Sequence, residues 1–506
     1  MQCTRRARRE QAPTECLALE WKSDDIGKDD PRVAHPLADE RGRSIRLYLI
    51  NPTNPLVRCV TDSRWNRYRV WKPLSLMVLA RLTPPEWEVT ILDENVNPPD
   101  YAALPRPDLV GITAFTSQAP RAYQLAADFR RLGIPVVMGG IHATMCVEEV
   151  LPRVDAVVTK EAETIWPQVL DDFESGRLQR RYDGGHIPID AFVPARQDLL
   201  PEGYGFGSIQ TTRGCPLNCS FCSVTAFNGT EYRQRPVDDV VREFLSIPEK
   251  RILVVDDNLI GTRPEHLARA KQLFRALIDA KLRKEWIAQA TINFADDDEL
   301  ASLARRAGCC GVFIGFESPT ADGLRELGKK FNLQKSRDFR ASVRRIQRHN
   351  IMVMGSFIIG LDIDEAGIGE RIAETARQYG VDSLNALFLT PLPGTRLWNQ
   401  MKGEERIALN TFPEDWRYYT LAFPVARYQR LSLDAVIQEM IACNRSFYSM
   451  PGVMRRVLAS MWGRRKPLIN LVTNLSARKN SRGETQAFAD FQRQWQASFS
   501  DARPQG

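Results

Sequence analysis

The chain has 506 residues, 43% of them hydrophobic and 26% charged, an ordinary globular composition with core enough for two or three domains. No apolar run reaches the roughly 18–20 residues that span a bilayer, and the net charge of +7, from 69 Lys+Arg against 62 Asp+Glu, lacks the concentrated basic stripe of a nucleic-acid binder. Ten cysteines are too few for a disulfide scaffold and suit a reducing, cytoplasmic setting, and the start MQCTRRARRE leads into no apolar h-region, so no secretory signal is expected.

Residues 1–43 mix charge and proline without periodicity and read as a poorly ordered arm. Short apolar runs follow at IRLYLI (45–50), EVTIL (88–92), LVGITA (109–114), IPVVM (134–138) and DAVVT (155–159). Helix-like stretches lie between them: PLSLMVLARL (73–82), APRAYQLAADFRRL (119–132) and AETIWPQVLDDFES (162–175). This alternation predicts an α/β, Rossmann-like doubly wound domain over residues 44–180. Residues 181–204, with Gly184-Gly185, Pro188, Pro194 and Pro201, read as a linker. A second alternation begins at GSIQTT (207–212). It continues through RILVVD (251–256), WIAQAT (286–291), GVFIGF (311–316), IMVMGSFIIG (351–360) and SLNALFL (383–389). Six βα units predict a partial (βα)6 barrel over 205–400, with its chemistry at the C-terminal ends of the strands. A mainly helical C-terminal cap is expected over 401–485 and a polar tail over 486–506.

The stretch RGCPLNCSFCSVT (213–225) follows the first strand of the second alternation and spaces Cys215, Cys219 and Cys222 as C-x3-C-x2-C. Three thiolates on one loop can hold an iron–sulfur cluster or a zinc ion. Structural zinc takes four protein ligands, usually in two knuckles, and Cys309-Cys310, being adjacent, form no second knuckle. A [4Fe–4S] cube normally takes four cysteines; with three, one iron keeps an open position where a small molecule can bind.

This arrangement resembles the radical S-adenosylmethionine (SAM) superfamily. The resemblance implies that Cys215, Cys219 and Cys222 hold a [4Fe–4S] cluster whose unique iron binds the amino and carboxylate groups of SAM. It also implies cleavage to a 5′-deoxyadenosyl radical, with electrons from a reductant such as flavodoxin or ferredoxin. Phe221, before the third cysteine, matches the family position that contacts adenine. The SAM pocket is expected to include Asp257 from VVDDN (254–258), Gln289 near Asn293, and Glu317 and Ser318 of GFES. Many members carry Gly-Gly-Glu where Asp256, Asp257 and Asn258 stand. The alternative for each of these polar residues is helix capping and loop hydrogen bonding. PLPGTRLW (391–398) resembles the segment that closes strand six, with a structural role.

In the first domain, MGGIHATM (138–145), TKEAET (159–164), NPTNP (51–55) and TAFTS (113–117) are small, polar loops at one sheet edge. Paired glycines there let a large ligand approach the backbone. Together they resemble the cobalamin-binding domain joined to one large group of radical SAM enzymes, which implies Thr113, Gly139, Gly140, His142 and Glu161 as cobalamin-binding positions. The group's D-x-H-x-x-G signature is broken in LDENVNPP (92–99): Asn95 stands where a cobalt-ligating histidine would be.

The aromatic stretch FPEDWRYYTLAFPV (412–425) resembles the extension beside B12–radical SAM pairs that include hopanoid methylases; it can line a pocket or pack the cap. MRRVLASMWGRRKPL (454–468) is basic and amphipathic, as for peripheral contact with an anionic membrane or a solvated surface helix. The whole pattern implies a B12-dependent radical SAM methyltransferase acting on an unactivated carbon of a small or lipid-like metabolite, through methylcobalamin. Two alternatives stay open: a non-methylating ring closure or rearrangement, and a non-catalytic corrinoid or iron–sulfur sensor. Methylthiolation would call for a second cysteine trio in the first domain, and the sequence has none.

Overall fold

The computed structural model describes residues 44–58, 71–96, 98–188, 191–200, 203–333, 337–462 and 466–500; the arm expected at 1–43 lies outside them. Two parallel sheets organise the chain. The first comprises β1 (Arg46–Asn51), β2 (Glu88–Asp93), β3 (Leu109–Thr113), β4 (Val136–Gly139), β5 (Ala156–Thr159) and β6 (Arg181–Asp183), in the order β2-β1-β3-β4-β5-β6. Leu49 pairs with Ile91 on one side and Gly111 on the other. Strands covered on both faces read as continuous apolar runs, and here Leu49 packs with Met77 and Trp166 on one face while Ile50 packs with Val110 and Phe129 on the other. The order reverses between β1 and β3, so a crevice opens at the carboxyl ends of those two strands.

The second sheet contains β7 (Gly207–Ile209), β10 (Arg251–Val254), β11 (Glu285–Ala290), β12 (Cys309–Glu317), β13 (Met352–Ile359) and β14 (Ser383–Phe388), parallel and in sequence order. A short antiparallel pair, β8 (Thr212–Arg213) with β9 (Arg233–Gln234), brackets the cysteine loop. Trp286, Ala288, Val312, Ile314, Val353 and Phe357 are buried towards the outer helices. The alternation of a strand therefore turns Ile287, Gln289, Phe313, Met354 and Asn385 to the concave face, where they are partly or fully exposed.

Two segments differ from expectation. Arg181–Asp183, within the stretch read as a linker, adds a sixth strand to the first sheet, with Tyr182 buried. The last helix runs from Pro467 to Ser500, well into the stretch read as a polar tail. Phe488, Phe491, Trp495 and Phe499 recur every three or four residues, one helix face, and pack on the core; Phe491 meets Tyr418 and Phe423 at centroid distances of 5.2 Å each. The aromatics near 412–425 mostly pack: Phe412 stacks on Trp416 at 3.7 Å, and Trp416, Tyr418 and Tyr419 are buried.

Candidate active site

The cysteine loop is held from four sides. Gly214, immediately before Cys215, has φ +87°, and a Cβ there would overlap the Glu231 carbonyl. Its N–H donates to Asp257 Oδ2 at 3.0 Å, and Asn228 Nδ2 donates to the same oxygen at 2.9 Å. On the far side, Arg396 donates to the Asn218 side chain at 2.8 Å and to its carbonyl at 2.7 Å. Leu397 N–H donates to the Ser220 carbonyl at 3.0 Å, and Ser220 Oγ donates to the Leu327 carbonyl at 3.2 Å. The segment that closes strand six is thus the outer brace of the loop. Gly214→Ala is expected to remove most of the iron and sulfide the chain takes up on anaerobic reconstitution, because no side chain fits there and the left-handed backbone is strained for alanine. Iron and sulfide assays on the purified variant check this.

Cys215 and Cys219 are buried and Cys222 is half-buried. Burial, followed by the neighbouring thiols, pushes Cys215 up to about 11, and burial likewise raises Cys219. Thiolates there need compensating positive charge, which a bound iron cluster provides. Among the described residues no group of three or more His, Cys, Asp or Glu is drawn together for one metal ion. The C-x3-C-x2-C spacing of Cys215, Cys219 and Cys222 on one loop is a donor set that fits three irons of a [4Fe–4S] cube.

Lys329, absent from the sequence expectations, is buried beside this loop with its Nζ 2.8 Å from Glu317 Oε1. Burial lowers its pKa, but Glu317 and the Cys219 and Cys215 sulfurs outweigh that and raise it. Glu317 itself has φ +66°, and the glycine at 315 leaves room for its carboxylate.

The other expected SAM residues divide. Gln289 is exposed on the concave face, and Phe221 is half-buried and packs against the core. The Asp257 carboxylate is instead occupied by the cysteine loop, and burial raises it to about 6. Ser318 Oγ accepts from Thr320 N–H at 3.2 Å, a turn-forming role at the start of helix Ala321–Glu326. Asn258 carries a different signal. Its Oδ1 accepts from Thr291, while its Nδ2 is buried with no partner among the described residues. Such a donor fits an acceptor atom of a bound ligand.

At the first sheet's carboxyl edge, Gly140 has φ +89° and lies so close to β3 that a Cβ would approach Thr113 Oγ1 to 2.6 Å. Helix Gly140–Met145 packs against helix Ser223–Asn228, which begins directly after Cys222. Phe115, on the loop after β3, is 64% exposed, an apolar surface at the crevice mouth that a corrin ring fits. Asn95 Nδ2 donates to Asp93 Oδ1 at 2.9 Å and to the Pro52 carbonyl at 3.3 Å, so that side chain is tied into its own loop.

Two expected cobalamin residues have polar groups engaged by the protein itself, although His142 Nδ1 is buried with no partner among the described residues. His142 is wholly buried, with Nε2 2.8 Å from Tyr123 Oη and its ring edge-on to Trp416 at 5.6 Å. It therefore faces the C-terminal cap. Glu161 accepts from both Arg233 Nη atoms, at 2.8 and 2.5 Å, lies 3.1 Å from Arg213 Nη1, and accepts the Ile187 N–H. Glu163 takes the other Nη of Arg213 at 2.8 Å. Arg213 stands two residues before Cys215, so these carboxylates join the first sheet's edge to the cysteine loop. The signal for this was in the sequence: two acids just after a strand, and an arginine beside the first cysteine.

Residues 209–370 match the Radical SAM superfamily and residues 65–170 the B12 binding domain. The chain is 30% identical over 452 residues to an uncharacterized methyltransferase of Pyrococcus horikoshii, covering 81% of this chain and 93% of that protein. It is 28% identical over 430 residues to the bacteriochlorophyllide d C-12(1)-methyltransferase of Chlorobaculum tepidum, covering 80% and 89%. Its fold is similar to that of the cobalamin-dependent SAM radical enzyme OxsB, with a TM-score of 0.59, 15% identity, and coverage of 89% of this chain and 75% of that one.

Proposed function

Since the chain belongs to the radical SAM enzymes that carry a B12-binding domain, with a [4Fe–4S] cluster, SAM and cobalamin as cofactors, we propose that it methylates an unactivated carbon of a small or lipid-like molecule. The observation that carries this reading is the join between the two domains: Glu161 and Glu163 grip Arg213 beside Cys215, and helix Gly140–Met145 rests on the helix after Cys222. These contacts set the cysteine loop beside the carboxyl edge of the first sheet, which supports transfer of a methyl group between a corrinoid held there and a radical formed at the cluster.

When bound, the cluster supplies one electron for SAM cleavage and cobalamin carries a methyl group. The chain's own residues do the rest. Cys215, Cys219 and Cys222 would anchor the cube, and Lys329 offsets negative charge beside it. Asn258 Nδ2 and Gln289 offer donors at the strand ends, and Asp257 and Arg396 fix the loop. Phe115, Thr113, Gly139 and Gly140 form the edge for cobalamin. Ile287, Phe313 and Met354 give the concave face an apolar lining, which supports a substrate with substantial apolar surface. A one-electron donor such as flavodoxin or ferredoxin completes the set.

Methylation predicts a product heavier by one CH2 unit, labelled when SAM carries a deuterated methyl. Mass spectrometry of reactions with extracts of the source cells reads this out. A product of unchanged carbon count, formed with 5′-deoxyadenosine, would favour ring closure or rearrangement instead.

A further inference from the structure

We propose that the hairpin formed by the last two helices is a docking surface for an anionic lipid bilayer, separate from the reaction chamber. Helix Met450–Trp462 leaves Met450, Met454, Leu458 and Met461 between 44% and 57% exposed. Their spacing of four, four and three residues aligns them in one row. Helix Pro467–Ser500 opens with a second row, Leu468, Ile469, Val472 and Leu475, between 37% and 71% exposed. The first row ends at Met461 and the second begins at Leu468, on two helices that pack against each other. The inward faces are already satisfied: Val453 and Val457 are buried, and Arg456 ties the helices together through Asn474 Oδ1 at 2.7 Å. The outward rows nonetheless leave much of their apolar surface open, and eight exposed apolar side chains in sequence-adjacent rows mark an interaction site.

Charge identifies the occupant. Residues 440–483 contain nine Lys and Arg and no Asp or Glu. Of these, Arg445, Arg455, Lys479 and Arg482 are exposed, and Lys479 and Arg482 continue the second row beyond its apolar part. An apolar stripe edged by cations lies in the interface of an anionic membrane, with the side chains in the acyl boundary and the cations among headgroups. A second copy of the chain fits poorly, because two such faces would press like charges together. Among the described residues no helix is long and apolar enough to cross a membrane, so the contact is peripheral.

The test is flotation of the reconstituted chain with phosphatidylcholine vesicles, with and without one third phosphatidylglycerol. Recovery with the anionic vesicles is expected to exceed that with neutral ones at least tenfold and to fall steeply with salt. The Leu458→Asp/Leu468→Asp variant should lose it while keeping its circular dichroism and its 5′-deoxyadenosine formation. Arg455→Glu/Lys479→Glu/Arg482→Glu should lose the preference for anionic lipid. Absent flotation of the unaltered chain, or equal flotation of the aspartate variant, would overturn the proposal. So would a dimer in light scattering that the aspartate variant abolishes, since the face would then belong to a second copy.

Discussion

Cys219→Ala is expected to reduce 5′-deoxyadenosine formation from SAM to background, with iron and sulfide content falling alongside. Cys219 is the middle anchor of the trio, buried and within the electrostatic reach of Lys329. A cube held by two thiolates loses the fixed position from which one iron can meet SAM. The same substitution should leave cobalamin binding to the first domain intact, because its crevice lies on the other sheet. That difference separates loss of the cluster from loss of the fold. Anaerobic turnover with dithionite, analysed by chromatography for 5′-deoxyadenosine, measures it.

The second large effect is expected at Glu161. Its side chain is buried and receives Arg233 and Arg213, two cations that are themselves almost wholly enclosed. Burial alone would raise the carboxyl's pKa, but the Arg233 hydrogen bonds, Arg213 and the Ile187 N–H outweigh it and hold it below the usual carboxylate range. A depressed value means that this stabilisation is present at neutral pH and is lost as pH falls through the folded-state pKa. Glu161→Ala leaves two buried guanidinium groups short of a partner, at a cost of about 3–5 kcal/mol, seen as a lowered midpoint in thermal unfolding. Glu161→Gln keeps shape without charge. It is expected to retain 5′-deoxyadenosine formation while yielding less methylated product per SAM cleaved, because the corrinoid edge is no longer held to the cluster loop.

The cysteine spacing and the two strand–helix alternations were legible because each is local. Thiols within eight residues need no tertiary information, and parallel strands buried on both faces announce themselves as apolar runs. The strand at Arg181–Asp183 was hidden by its length, with only Tyr182 buried. The C-terminal helix was hidden by composition: half of QAFADFQRQWQASF is polar, and only the spacing of its four aromatics shows a packed face.

Site residues beyond the cysteines were harder for a different reason. A carboxylate at a strand end has the same sequence signature whether it serves a ligand, a loop or another domain. Asp257 serves the cysteine loop, Glu161 the domain junction and Ser318 a turn. Lys329 had no signal at all, since ELGKK (326–330) reads as ordinary surface and only the folded chain places that ammonium against Glu317. Asn258 stood in the right segment, but its unpartnered amide is a property of packing.

The central claim is that three thiols hold an iron–sulfur cube with a vacant iron, beside a domain that holds a corrinoid. Anaerobic reconstitution with iron, sulfide and cobalamin, followed by metal and sulfide analysis of the gel-filtered protein, tests it most directly. The account predicts about four iron and four sulfide per chain, together with cobalt, and loss of the iron alone in the Cys215→Ala/Cys219→Ala/Cys222→Ala variant. Zinc at the thiols, or an iron content that the triple variant leaves unchanged, would contradict it.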